Sequence, residues 1–379
     1  YDCTVANSPG LKFDVVNVGN LGWNQKLLGE VCREVKKQGG ITTYHIPPST
    51  TAITKAVDAA RLGVTMIEHH YAYAESALDR QVQNFKPNKI ALSLKSNRTL
   101  TIGVVIPDIL NRFYSKVLDG IHDAADQNGY DVITVTTRES ITKEIDSLQI
   151  LSSGNVDGII IAMSEETLNK NDFAHLKEFT MKETPIVMFD RVTDKINCDK
   201  VIIDDFDAIY NEVKSLKELG RKKIGFVSTI NELNVGKYRA NGFRKASFDF
   251  FGEFDKNLIL RISKNLDKHF EIQKFIEKNK PDAIISADIL CGVISINIAR
   301  GLGIKIPEEL SVVGFGDKTI SEYSSPKLTT IYQHGSEIGN RSVELLVDRM
   351  NSKWFGLEKN SNSFITEIIP TITLDGGSK

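Results

Sequence analysis

From residue 101 onward, short apolar runs rich in β-branched residues alternate with stretches whose apolar positions recur at helical spacing. The runs are TIGVVIPDI, YDVITVTT, VDGIIIAMS, TPIVMFDRV, KVIIDD, KKIGFVST, NLILRIS, PDAIISAD and LSVVGFGD. Helical stretches such as FYSKVLDGIHDAADQNG and DAIYNEVKSLKELG lie between them, and both close on Gly, the usual helix terminator. Strands that alternate with helices through short loops predict parallel sheets covered on both faces. About ten strands exceed what one doubly wound sheet usually carries, so two sheets with a cleft between them are predicted.

Residues 1–84 alternate too, with fewer elements. FDVVNVG, ITTYHI and VTMIEHH read as strands, and NQKLLGEVCREVKKQGG and TAITKAVDAARLG as the crossover helices between them. The polar stretch 351–363 reads as a surface loop. No short internal repeat or low-complexity tract stands out.

Composition adds bounds. A chain of 379 residues exceeds one compact core. Its 41% hydrophobic and 25% charged content is that of a globular protein, and a net charge of −2 argues against nucleic-acid binding through bulk charge. Cys3, Cys32, Cys198 and Cys291 show no C-x-x-C spacing, so they read as reduced thiols of a cytoplasmic protein. No apolar run approaches the ~20 residues of a membrane span, and YDCTVANSPG lacks the features of a secretion signal. Residues 85–379 carry no G-x-S-x-G, H-E-x-x-H or P-loop, so no enzyme and no cofactor are predicted.

Several phrases, in order, carry a family resemblance: FKPNKIALSLKSNRTLTIGVVIPDI, VDGIIIAMS, IVMFDRV, YRANGFRKA, IPEELSVVGFGD and SSPKLTTIYQHGSEIGNRSVELL. Residues 85–377 resemble the lac/gal repressor family, whose sensor cores are similar to periplasmic sugar-binding proteins. The resemblance implies a ligand-sensing transcriptional regulator with two α/β lobes around a hinged cleft. Residues 85–99 would be the hinge. Residues 100–204 and 318–331 would form the N-terminal lobe, and 205–317 and 332–379 the C-terminal lobe. The implied partners are a small polar effector, a sugar or sugar derivative, and operator DNA, with the chain acting as a cytoplasmic homodimer.

Site residues carry over where the sequence matches. Phe113 and Tyr114 would set rings against the effector. Ser164 ends a strand and either meets the ligand or caps the next helix. Asp190 matches an effector carboxylate, or pairs with Arg191. Arg239 would clamp two oxygens with its fork. Asp288 stands where the family commonly has Asn, and Gly316 where it commonly has a ligand-binding Asp, with Asp317 displaced by one. Both departures put the usual sugar geometry in question. Within the hinge, Leu94 occupies the position that wedges into the minor groove, and Lys95 and Arg98 suit phosphate contacts.

Residues 1–84 lack the Thr-Val-Ser-Arg-like recognition helix that such a repressor uses to read the major groove. Residues 10–84 instead resemble the middle of a metal-dependent amidohydrolase barrel, whose paired His ligands would correspond to His45 and His69. Three strands cannot close a barrel, so that site would be incomplete. The change of resemblance near residue 85 is read as a fusion, natural or artefactual, in which the DNA reader is missing or replaced. A solute-binding protein and a metal-dependent amidohydrolase are the alternative readings.

Overall fold

The structure is a computed structural model that describes residues 10–14, 33, 41–45, 66–68 and 98–379, apart from 154–155, 182–183, 322 and 355–362. The chain divides into two compact units, Tyr1–Leu92 and Ser93–Lys379. In the first, β1 (Gly10–Asp14), β2 (Ile41–His45) and β3 (Met66–Glu68) form a parallel sheet in the order β1-β2-β3, with His45 opposite Asp14 and Glu68. Parallel neighbours require crossovers, in line with the strand–helix alternation of this segment. β1 begins at Gly10, three residues before FDVVNVG, and the rest of that run lies outside the described residues.

The second unit holds two six-stranded sheets. One is built from β4 (Thr101–Ile106), β5 (Asp131–Thr136), β6 (Gly158–Ile161), β7 (Ile186–Phe189), β8 (Asp199–Ile203) and β14 (Thr366–Ile369), in the order β14-β8-β7-β6-β4-β5, all parallel. Its helices are α1 (Arg112–Gln127), α2 (Ile141–Ser152), α3 (Glu165–Lys170), α4 (Ala174–Met181) and the long α10 (Gly335–Trp354). The other holds β9 (Ile224–Ser228), β10 (Ile259–Arg261), β11 (Ala283–Ser286), β12 (Ser311–Gly316), β13 (Thr329–Tyr332) and an antiparallel edge strand, β15 (Ile372–Leu374), in the order β10-β9-β11-β12-β13-β15. Its helices are α5 (Asp205–Glu218), α6 (Asn234–Phe251), α7 (Lys268–Asn279), α8 (Ile289–Gly301) and the short α9 (Lys318–Ser321).

The local chemistry accounts for these elements. Strands β6, β7, β9, β11 and β12 are buried at every position, as unbroken apolar runs covered on both faces must be. Helix α1 is capped by Asn111, whose Oδ1 accepts from the Phe113 amide at 3.0 Å. The glycines predicted to stop helices, Gly129 and Gly220, both adopt positive φ, +75° and +89°.

The lobe boundaries need one correction. Segment 318–331 belongs to the C-terminal lobe, because β13 pairs with β12 inside that sheet. Most of 332–379 belongs to the N-terminal lobe, because α10 packs on α1 and β14 pairs with β8. Only β15 and the last residues return, where the Ser378 hydroxyl donates to Val312 O at 2.6 Å. The α1–α10 contact is close enough that a Cβ at Gly120 or Gly339 would overlap the facing backbone. No helix among the described residues is long and apolar enough to cross a membrane.

Candidate functional site

In parallel α/β sheets, ligands meet the protein at the carboxyl ends of the strands. In the N-terminal lobe those ends present Thr137, Ser164, Asp190 and Arg191; in the C-terminal lobe they present Thr229, Ala287, Asp288 and Asp317.

Tyr114 lies in the first turn of α1 and is 1% exposed. Its hydroxyl donates to Asp190 Oδ2 at 3.0 Å, and its ring packs edge-on against Phe113 and Phe189. Burial raises its hydroxyl pKa well above the usual tyrosine value. Phe113 is half-buried beside it. Asp190 follows the last residue of β7 with φ +56°, in the left-handed region that Asp adopts more readily than most non-glycine residues. Burial pushes its carboxyl pKa up, against the pull of Arg191 and Arg239. The Arg239 charge therefore reaches Asp190 from the opposite lobe.

Arg239, on the inner face of α6, is 3% exposed. Its Nε donates to Asp205 Oδ1 at 2.7 Å, its Nη1 donates to Ala287 O at 2.6 Å, and its guanidinium lies 3.5 Å from the centre of the Phe315 ring. The Asp205 carboxyl is pushed up to about 6, by burial first, with Arg239 opposing and Asp190 reinforcing the shift. Asp190 and Arg239 thus face one floor.

Two predicted contacts are engaged elsewhere. Ser164 is fully buried as the N-cap of α3: its Oγ accepts from the Thr167 amide at 3.3 Å and shares a 2.8 Å hydrogen bond with Thr167 Oγ1. Asp288 caps α8, with Oδ1 accepting from the Cys291 amide at 2.9 Å and Oδ2 from Thr229 Oγ1 at 2.8 Å. Gly316 adopts φ +155°, and the displaced Asp317 points to Arg112, whose Nε lies 3.9 Å from it.

Sequence reasoning passed over several residues. Arg191 appeared only as a neighbour of Asp190, yet it is 6% exposed and central: its Nη1 donates to Glu139 Oε2 at 2.6 Å, and its guanidinium stands 5.7 Å from the Tyr114 ring centre. Burial works against its charge, but Tyr114, Glu139 and Asp190 outweigh it and raise its pKa. Asp205 and Phe315 were legible only as a strand-end acid and a core ring. The two lobes also touch directly. Asn234 Nδ2 donates to Val192 O at 3.1 Å, Lys264 Nζ lies 2.8 Å from Glu165 Oε2, and Arg112 Nη2 donates to Thr319 Oγ1 at 3.4 Å.

Of the proposed hinge contacts, Arg98 is half-buried, while Leu94 and Lys95 lie outside the described residues. His45 ends β2, and His69 lies outside the described residues. Among the described residues, no group of three or more His, Cys, Asp or Glu side chains is arranged to hold a metal.

Comparison with known proteins settles the family. The family of periplasmic binding proteins and the sugar binding domain of LacI family matches residues 99–369. The chain belongs to the LacI family of transcriptional regulators. It is 31% identical over 307 residues to the HTH-type transcriptional regulator DegA of Bacillus subtilis, across 81% of this chain and 87% of that protein. It is 28% identical over 315 residues to the HTH-type transcriptional repressor PurR of Aliivibrio salmonicida, across 80% of this chain and 90% of that one. These LacI-family relatives are regulators, not enzymes. A CelR–cellobiose complex shares the fold, with a TM-score of 0.64 at 21% identity, covering 83% of this chain and 93% of that one. A LacI family regulator from Enterococcus faecium with bound ribose gives a TM-score of 0.62 at 25% identity, covering 73% and 98%. The comparisons lend no support to the amidohydrolase resemblance of residues 10–84.

Proposed function

We propose that this chain is a cytoplasmic, homodimeric regulator that binds a sugar or sugar derivative between its lobes and thereby controls its hold on operator DNA. One observation carries the reading: at the carboxyl ends of the two sheets, Asp190 with the Tyr114 hydroxyl on it belongs to one lobe and Arg239 with the Phe315 ring against it to the other, and the lobes meet directly through Asn234 and Val192. The rings suit the C–H face of a sugar, and the polar groups suit its hydroxyls. A ligand that touches both lobes favours the closed arrangement, which is how binding would reach the DNA-contacting end. Phe113, Tyr114, Asp190 and Arg239 are the contact residues in this reading. Ser164 and Asp288 shape the floor as helix caps.

The reading also assigns no helix-turn-helix to residues 1–84, so this chain is expected to hold operator DNA only feebly through its hinge. Thermal unfolding of the full chain with ribose and with cellobiose tests the effector part. A bound sugar at 100 times its Kd adds about 2.7 kcal/mol of stability, and Arg239→Gln abolishes that gain. If neither sugar nor any wider carbohydrate panel moves the transition, the sugar assignment is wrong.

A further inference from the structure

Helix α7 mixes the signs of its charges, with Glu271 and Glu277 among Lys268, Lys274 and Lys278, as a solvated helix usually does. Helix α6 does not. Four of its charged residues are basic, Lys237, Arg239, Arg244 and Lys245, and one is acidic, Asp249. Arg239 turns inward, whereas Lys237, Tyr238, Asn241, Arg244, Lys245 and Phe248 recur at helical spacing on the outer face. Tyr238 is 53% and Phe248 61% exposed, and ten residues of helix set them about 15 Å apart along its axis. Single exposed apolar side chains are ordinary, but two aromatic rings on one face with cations between them form a patch that invites a partner. The charges of that patch are largely uncompensated. Lys245 Nζ lies 2.7 Å from Asp249 Oδ1, and the Tyr210 hydroxyl donates to Asp249 Oδ2 at 3.0 Å, so the acid of the helix is already paired. Among the described residues Lys237 has no ion-pair partner, and Arg244 donates only to Asn241 Oδ1, at 2.7 Å. Arg261, the exposed last residue of β10, has no ion-pair partner among them either. Burial lowers the Arg244 pKa and the Arg261 charge lowers it further, so the two guanidinium groups stand close enough to repel.

We propose that the outer face of α6 is a docking surface for an acidic segment of another protein, whose carboxylates pair with Lys237, Arg244 and Arg261 and whose apolar side chains seat on Tyr238 and Phe248. Charge complementarity selects this occupant. Carboxylates relieve the repulsion between Arg244 and Arg261, and an arginine fork takes a carboxylate through two bonds. A second copy of the same face would set cations against cations, which opposes self-association through it. Nucleic acid draws its affinity from phosphate contacts along the backbone, and three unpaired cations on one short patch offer few of them. Aromatic and Arg side chains are also those enriched where protein interfaces concentrate their binding energy. The inner face of α6 carries Arg239, so the docked segment lies behind the cleft, and the proposal does not depend on what the cleft binds.

Biolayer interferometry of the full chain against three immobilised probes tests the surface: a random copolymer of Glu and Tyr, polyglutamate, and a DNA duplex of random sequence. The proteins are wild type, Lys237→Glu, Phe248→Ala and a control, Lys222→Glu, which changes the net charge by as much as Lys237→Glu but at an exposed position before β9. Unfolding curves confirm that each is folded, and Arg261→Glu replaces either α6 variant that is not. Wild type binds the Glu–Tyr copolymer at least about 10-fold more tightly than polyglutamate, because only the copolymer reaches Tyr238 and Phe248 with apolar groups. Lys237→Glu and Phe248→Ala each weaken copolymer binding by about 10-fold, and Lys222→Glu weakens it by less than about twofold. The proposal is overturned if the copolymer does not bind, if polyglutamate binds as well, or if Lys222→Glu loses as much as Lys237→Glu, since bulk charge then accounts for everything. Tighter binding of the duplex, lost in the same two variants, makes the face a nucleic-acid surface instead. A fall in sedimenting mass for Phe248→Ala, with copolymer binding unchanged, gives the face to a second copy of this chain.

Discussion

Replacing Arg239 with Met strips a buried carboxylate of its partner. Asp205 is 6% exposed, and its Oδ1 accepts from Arg239 Nε at 2.7 Å. Removing one member of a buried ion pair costs about 3–5 kcal/mol, because the charge left behind has lost both water and counter-charge. The methionine keeps the contact with Phe315 roughly filled; the Ala287 carbonyl loses its donor at every pH, so the pH-dependent part of the cost is that of the carboxylate. With a urea dependence of about 3 kcal/mol/M, the midpoint drops by roughly 1 M or more. The pH dependence is the sharper test. In the wild type the folded carboxyl stands at about 6, above its unfolded value near ~3.9. A group raised in this way binds protons more tightly when folded. The stability it contributes is fully present below the unfolded value and is lost as pH rises through the folded value. Without Arg239 the carboxyl rises further, so the deficit relative to wild type is small at pH 5 and full at pH 8. Adding Asp205→Asn to Arg239→Met removes the charge and recovers most of the loss at pH 8. Urea unfolding of wild type, the single variants and the double variant at both pH values decides the matter. A deficit equal at pH 5 and pH 8, or a double variant no better than Arg239→Met at pH 8, would refute the electrostatic account.

Three further outcomes follow from the same geometry. Gly339→Ala sets a methyl group against the Val117 carbonyl at the α1–α10 crossing and lowers stability by about 1–3 kcal/mol, read as a fall in melting temperature. Lys264→Ala breaks the pair with Glu165, whose lysine is 66% exposed; stability changes by less than about 1 kcal/mol, while small-angle scattering registers a larger radius from a looser cleft, most clearly at low salt. Burial pushes the Cys198 thiol up to about 12 and raises that of Cys291 as well, so neither reacts with a thiol reagent at pH 8 until the chain is unfolded.

Much of this fold is readable in the chain because its strands are locally unambiguous. TIGVVI and IGFVS are apolar apart from one terminal residue each, and each ends where a turn or a helix cap begins. The exchange of the last segments between lobes was not readable in the same way. TTIY of β13 and TEII of β14 have similar local patterns, yet one pairs with β12 and the other with β8, a choice made by distant partners. Within the site, Asp190 and Arg239 stood out through their family phrases, whereas Ser164 and Asp288 illustrate an ambiguity of position. The residue after a parallel strand is both the ligand-facing rim and the N-cap of the next helix, and one short side chain cannot satisfy both roles fully. Arg191 lies within the IVMFDRV phrase, yet only its contacts with Glu139 and the Tyr114 ring in the folded protein bring it forward.

The polar groups of the cleft also form one connected path between its floor and the contact that joins the lobes. Tyr114 donates to Asp190, Arg191 lies against Asp190, and Arg191 donates to Glu139 Oε2. That same oxygen accepts from the Glu165 amide at 2.8 Å, and the Glu165 carboxylate holds Lys264 of the other lobe. Arg138, Glu139 and Asp190 all keep positive φ along this path, so its backbone is held in place by the bonds it makes. Glu139 is the point where the two ends meet. One carboxylate oxygen with two donors thus joins the Arg191 side of the cleft to the Glu165–Lys264 contact between the lobes.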